Sequence, residues 1–239
     1  MPGVEFAARP LVQDSVLGLR RPTSSGPGFR PLVSKRQHNA HQELSDIQRA
    51  YLSQTPMGAE EAEGYHATQL ETLKEAGADL AWVFTIGNEA EALGAVRAAG
   101  TIGIPVAVSF AVGSDGRLFG TGTPLADAVA YVDDASESYA SFFGINCSHP
   151  VEFEPALSDG PWLSRLRALR PNASKMDKIA LCKIGHLEEG DPVELGKLMG
   201  DLATRLPAVD IWGGCCGTTA THLDLLATAV TARRGPSND

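Results

Sequence analysis

Two adjacent cysteines, Cys215 and Cys216, stand between glycines in "DIWGGCCGTTATHL", positions 210–223, and a third, Cys147, closes "FFGINC". Neighbouring cysteines bridge each other poorly, because consecutive Cα atoms sit about 3.8 Å apart and a disulfide wants roughly 4.4 to 6.8 Å. The chemistry to look for is therefore metal binding or a reactive thiol. Three thiolates gathered at one place match a catalytic zinc site, in which three protein ligands leave the fourth position open. A redox-active dithiol and a set of inert thiols are the other readings of the same residues. His149 and His222 lie close to the cysteines in sequence. They read as alternative ligands or, more commonly for histidines on a helix flank, as surface or capping residues. Cys182, inside "IALCKIG", reads as a small buried hydrophobe.

Positioning such a site requires elements that bring residues 147 and 215 together. From Pro56 onward, helical stretches alternate with short apolar runs rich in β-branched or aromatic residues. Helices are expected in "AEEAEGYHATQLETLKEAG", closing on Gly77, and in "NEAEALGAVRAAG", "PLADAVAYVDD", "WLSRLRALRPNAS", "DPVELGKLMGDLATRL" and "TTATHLDLLATAVTARR". Strands are expected near 79–86, 105–112, 139–147, 169–173 and 209–214. Continuous apolar strands between helices make a parallel sheet covered by helices. In such folds the working residues collect at the carboxyl ends of the strands, which puts Cys147, Cys215 and Cys216 on one rim. Gly213, Gly214 and Gly217 permit the backbone turns that aim two neighbouring thiols the same way, and Thr218 or Thr219 can cap the helix that follows. Thr85 and Ser109 also end strands and are candidates to touch a substrate, although a buried hydroxyl bonded to backbone is the commoner case.

The head of the chain reads differently. "RRPTSSGPGFRP" mixes Pro, Gly, Ser and Arg without hydrophobic period, and only "AHQELSDIQRAYL" has helical spacing. Residues 1–55 are expected to form a divergent, partly disordered segment, 56–232 the folded domain and 233–239 a disordered tail. The 239 residues carry a net charge of −9, which disfavours nucleic acid and anionic membrane surfaces as partners. No apolar run approaches the ~20 residues of a membrane span, and the N-terminus has no signal-peptide pattern, so a cytoplasmic location with reduced thiols is expected.

"GINCSHP" followed by "GGCCGTTATHL" resembles the zinc-binding segments of the homocysteine S-methyltransferase family. "YHATQLETLKEAGADL", "VSFAVGSDGRLFGTGTPLADAV" and "RPNASKM" resemble other segments of that family, and the likeness covers about residues 56–230. The resemblance implies a (β/α)8 TIM-barrel fold and Zn2+ held by Cys147, Cys215 and Cys216. It implies homocysteine and a sulfonium methyl donor as substrates, with Asn146, beside Cys147, orienting the cysteine segment or the amino acid end of the substrate. The match departs from the family in two places. Nothing in residues 1–55 reads as the glycine-rich first strand with its acidic residue, or as the second and third strands. The glutamate that many members carry at the end of the fourth strand is absent, its place falling near Phe84 and Thr85. The expected fold is thus α/β and of TIM-barrel type but incomplete, with about five of eight strands legible. Its exposed sheet edges would favour self-association. The functional expectation is zinc-dependent methyl transfer to homocysteine. The alternative is a degenerate, catalytically weak relative that keeps the zinc site and acts as a partner subunit or an inactive fragment.

Overall fold

A computed structural model of the chain describes residues 56–184 and 186–234 and, before these, the strands β1 (Glu5–Phe6), β2 (Val16–Arg20) and β3 (Arg30–Leu32). The regular part runs α1 (Ala59–Glu75), β4 (Leu80–Ile86), α2 (Glu89–Ile102), β5 (Val106–Phe110), α3 (Leu125–Ala135) and β6 (Phe142–Asn146). It continues through the short α4 (Pro150–Phe153), β7 (Leu166–Arg170), α5 (Lys178–Lys183), α6 (Pro192–Arg205), β8 (Ile211–Trp212) and α7 (Ala220–Arg234). The strands form one sheet in the order β1-β8-β7-β6-β5-β4-β2-β3. From β4 to β8 every pairing is parallel and sequential, the hand-over-hand order of an incomplete (β/α)8-type barrel.

Why these five strands form a buried parallel sheet follows from their composition. Both faces of β4, β5 and β6 are apolar, as strands covered on two sides must be. Alternation sends Val83, Val108, Phe143, Ile145, Leu169 and Trp212 outward under the helices. The opposite parity puts Leu80, Trp82, Phe84, Ala107, Phe142 and Ala168 in a separate inner cluster with Ile211 packed against it. Polar residues of that same inner parity, Ser109, Asn146 and Arg170, stand at the carboxyl ends of β5, β6 and β7. Gly144 allows the inner strands to close up, because a Cβ there would sit 2.5 Å from Ser109 Oγ and 3.0 Å from Ala168 Cβ.

The structure differs from the sequence expectation at identifiable places. Three strands fall inside the head, where none was legible; β1 lies parallel to β8, while β2 is antiparallel to β4 and β3 antiparallel to β2. Of the tail expected to be disordered at 233–239, Arg233 and Arg234 belong to α7, whereas 235–239 lie outside the described residues, as does 1–55 apart from β1, β2 and β3. Helix α2 runs past Gly100 and closes on Gly103, whose φ of 76° is the left-handed helix cap that glycine adopts freely. The "WLSRLRALR" stretch is a 3-10 turn, Pro161–Arg165, and its strand starts at Leu166 rather than at 169. The last strand is two residues long: Gly213 N still donates to Leu169 O at 3.1 Å, and from Gly214 the chain enters the cysteine turn. Cys182 lies on α5, a helix the sequence did not reveal, and its side chain is outside the described residues.

Candidate metal centre

Cys147 is the first residue past β6 and has a φ of 55°, in the left-handed region that non-glycine residues seldom enter. Cys215 and Cys216 follow β8 after the two glycines. Their turn is built around the shared backbone: a Cβ on Gly214 would lie 2.3 Å from Thr218 Oγ1, so only glycine lets Thr218 donate to Cys215 O, at 2.7 Å. The segment after β7 holds the two cysteine loops together. Cys215 N donates to Pro171 O at 2.7 Å and Ala173 N to Cys216 O at 2.9 Å. On the other side, Asn172 donates its side-chain amide to Cys147 O at 3.0 Å and its backbone amide to Ser148 O at 3.2 Å. Ser148 in turn anchors this loop to the segment just after β5, its hydroxyl donating to Val112 O and accepting from Val112 N.

The outcome is three half-buried thiols on buried supports. The sulfur of Cys147 lies 3.1 Å from that of Cys215 and 3.6 Å from that of Cys216, and Cys215 and Cys216 are 4.0 Å apart. None is in a disulfide. Four ligands at about 2.3 Å around a tetrahedral zinc would place sulfurs about 3.8 Å apart, so these three sulfurs already outline one face of such a site. A buried oxygen, Asn172 Oδ1, is left without a hydrogen-bond partner on the residue that holds Cys147. Three soft thiols gathered within 4.8 Å of one another are a donor set suited to a cation. The residues present therefore fit Zn2+.

Without a metal, the thiols polarise one another. Cys147 is held well above the usual thiol range by its hydrogen bonds to Cys215 and Cys216, with burial adding to the effect. Cys215 is pushed well below that range because Cys147 and Cys216 donate to it, and the charge of Arg170 helps. The cluster thus favours thiolate at Cys215.

The structure gives the other candidates definite places. Asn146 is buried and bonds Thr85 twice, accepting from its backbone N–H at 2.8 Å and donating to its hydroxyl at 2.7 Å. Its amide nitrogen is also 4.0 Å from Cys215 Sγ. Thr85 sits at a register shift in β4 with a φ of 64°, unusual for a β-branched residue. Strained backbone at both Thr85 and Cys147, on the same rim, marks a place where surrounding contacts over-determine the chain. We expect Asn146→Ala to lower stability by about 1–3 kcal/mol, since it strands the Thr85 N–H. A denaturant midpoint equal to that of the unaltered protein would show that this clamp holds nothing. Ser109 is fully buried and accepts the indole N–H of Trp82 at 2.9 Å.

Both histidines are caps. His149 Nδ1 accepts from Val151 N at 3.3 Å to start α4, and burial together with the charge of Lys175 lowers its pKa to about 4. His222 accepts from Thr219 through Nδ1 and donates through Nε2 to Glu189 O at 2.8 Å, tying α7 to the loop before α6. Sequence reasoning missed Asn172 and Arg170. Arg170 was signalled only by an arginine at the carboxyl end of a short strand whose other arginine, Arg167, is exposed.

A model of the family described as homocysteine S-methyltransferase matches residues 37–230, starting upstream of the boundary at 56 read from the sequence. Among solved structures, the chain resembles the metallated form of the homocysteine methyltransferase MmuM from Escherichia coli, at 22% identity and a TM-score of 0.55. That alignment covers 79% of this chain and 58% of that one. The apo form of the same enzyme aligns at 23% identity and a TM-score of 0.53, covering 74% and 60%. Its oxidized form gives 21% and 0.53, covering 75% and 55%. The chain thus spans less than two thirds of the length of these structures. No curated protein sequence matches it.

Proposed function

Because the chain belongs to the homocysteine S-methyltransferase family, we propose that it transfers a methyl group from a sulfonium donor, S-methylmethionine or S-adenosylmethionine, to the thiol of homocysteine, giving methionine. The observation that carries this reading is the convergence of Cys147, Cys215 and Cys216, whose sulfurs all lie within 4.8 Å of one another. These three would hold Zn2+, which supplies deprotonation of a substrate thiol near neutral pH while keeping its sulfur nucleophilic.

The chain's own part in the reaction is positional and electrostatic. Asn172 and the Pro171–Ala173 backbone fix the two cysteine loops relative to each other, and Asn146 and Thr85 wall the rim beside Cys215. Half-burial leaves the thiols reachable from the rim while their supports stay dry. In the transfer, a sulfur–carbon bond forms between homocysteine and the methyl group as the sulfonium–methyl bond breaks. The bonding pair stays on the departing sulfur, which becomes a neutral thioether, and the thiol proton passes to solvent. With the substrate thiolate added to the three of the protein, the rim is negative and favours a cationic donor, and the neutral thioether product is a poor metal ligand that leaves readily. Reduced thiols require a reducing compartment, which suits a cytoplasmic location. Among the described residues, no helix is long and apolar enough to cross a membrane.

A second reading has its own support. Strands β2 and β3 add to the sheet antiparallel to their neighbours, and the end of β4 presents Thr85 where family members place a glutamate. This favours a weak relative that keeps the metal centre, with self-association through the sheet ends. Incubating the metal-loaded protein with homocysteine and each donor decides between the two: methionine formation that a chelator abolishes and zinc restores is expected. Its absence with both donors, at full zinc occupancy, would leave only the second reading.

A further inference from the structure

Arg170 ends β7 on the inner side of the sheet, and only 5% of it is exposed. Its guanidinium lies 4.9 Å from the ring centre of Phe84 and 5.9 Å from that of Trp82. Nε and Nη2 both donate to a single acceptor, Gly214 O, at 3.3 and 3.1 Å. Among the described residues, no carboxylate is within ion-pair distance of it. Arginine keeps its charge when buried, and a buried charge without an opposite charge nearby is strongly unfavourable. Among the described residues, the cysteine cluster that begins one residue after Gly214 can supply the compensating negative charge. Gly214 directly precedes Cys215, and Asn172, two residues beyond Arg170, holds the Cys147 loop, so the guanidinium is fastened to the frame of the cysteine cluster.

We propose that Arg170 is the fixed counter-charge of the cysteine centre, offsetting the negative charge that three thiolates retain around a divalent cation. The proposal rests on reading the three cysteines as a metal centre. Three thiolates and a divalent ion sum to −1, which the guanidinium brings to zero. A fourth thiolate from a substrate then takes the site to −1 instead of −2. Arg170 is a positioning and charge-compensating residue, acting on substrate only through the cysteines.

Zinc affinity, measured by chelator competition at one pH and ionic strength, tests this on Arg170→Lys, Arg170→Gln and Arg170→Met. Lysine keeps the charge and loses the paired donation to Gly214, whereas glutamine keeps a donor and loses the charge. Glutamine and methionine should weaken zinc binding by about 10- to 100-fold, the usual effect of losing an outer partner of a metal ligand, while lysine stays within a few-fold of the unaltered protein. Glutamine matching the unaltered protein while lysine fails would make Arg170 a strap on Gly214 and overturn the proposal. A metal-free cycle keeps it falsifiable if zinc is not bound at all. Arg170→Met is compared in the unaltered chain and in Cys215→Ser/Cys216→Ser by denaturant unfolding. Methionine should be clearly less destabilising, or stabilising, once the thiols are gone, because the arginine has then lost its counter-charge. Additive effects in the cycle would overturn the proposal. A protein that binds no zinc but shows the coupling would overturn the metal reading and leave Arg170 as the counter-charge of the thiols themselves.

Discussion

Zinc content should fall from one per chain to near zero in each of Cys147→Ser, Cys215→Ser and Cys216→Ser, and stay at one in Cys182→Ser. The expectation follows from geometry and from ligand chemistry together. The three sulfurs outline a single tetrahedral face, so removing any one leaves two protein ligands. A serine hydroxyl does not ionise near neutral pH and is too hard a donor to replace a thiolate. The free energy at stake is large, since structural thiolate zinc sites bind with about 10–16 kcal/mol near pH 7. The folds of the three variants should survive, because the cysteine loops are held by backbone hydrogen bonds to Pro171 and Ala173 and by the amide of Asn172, none of which uses a sulfur. Metal analysis of the purified variants gives the answer. Stoichiometric zinc in any of the three would remove that cysteine from the site.

Much of the frame around these cysteines was readable before any coordinates, for a physical reason. Strands such as "LAWVFTI" and "FFGIN" are apolar on both faces because helices cover one side and the inner cluster the other, and that double burial is written as an uninterrupted run. Short elements leave no such record. Strand β1 has two residues and β3 three, too few for a period to show, and β2, "VLGLR", is broken by a glycine. Helices α4 and α5, with four and six residues, are too short for an apolar stripe and are announced only by their caps, His149 and Asp177. In the site, the cysteines stood out because their residue type carries the chemistry. Asn172 and Arg170 did not, because their roles depend on which way a strand end points. The parity that sends Arg170 inward is set by where β7 begins, and that boundary was misplaced by three residues. The histidines followed the commoner pattern of caps, which local sequence could suggest and only contacts could establish.

If methyl transfer is present, it should be at least about a hundredfold slower for this chain alone than for a complete family member. The reason lies in how the sheet is finished. A (β/α)8 barrel surrounds its rim with eight parallel strand ends, and the described residues supply five of them in sequence, β4 to β8, plus the two-residue β1 beside β8. Strand β2 runs antiparallel to β4, so the end it brings to the rim is an amino end, which does not carry a loop of the usual kind. The acidic groups by which the family grips the amino group of homocysteine belong to the first and fourth strands, and the end of β4 offers Thr85, already engaged by Asn146. A nucleophile misplaced by about 1 Å can cost around a hundredfold in rate, even with its activation intact. The three cysteines proposed as ligands are spared this loss, because they follow β6 and β8, which are paired on both sides by parallel strands. Zinc retention and turnover should therefore separate: full occupancy with slow chemistry. Replacing residues 1–55 by the first third of a complete family member should raise the rate without changing zinc content, because it adds substrate grip and leaves the centre untouched. A monomer of the unaltered chain that turns over homocysteine as fast as a complete relative would refute this and assign residues 1–55 a working pocket of their own.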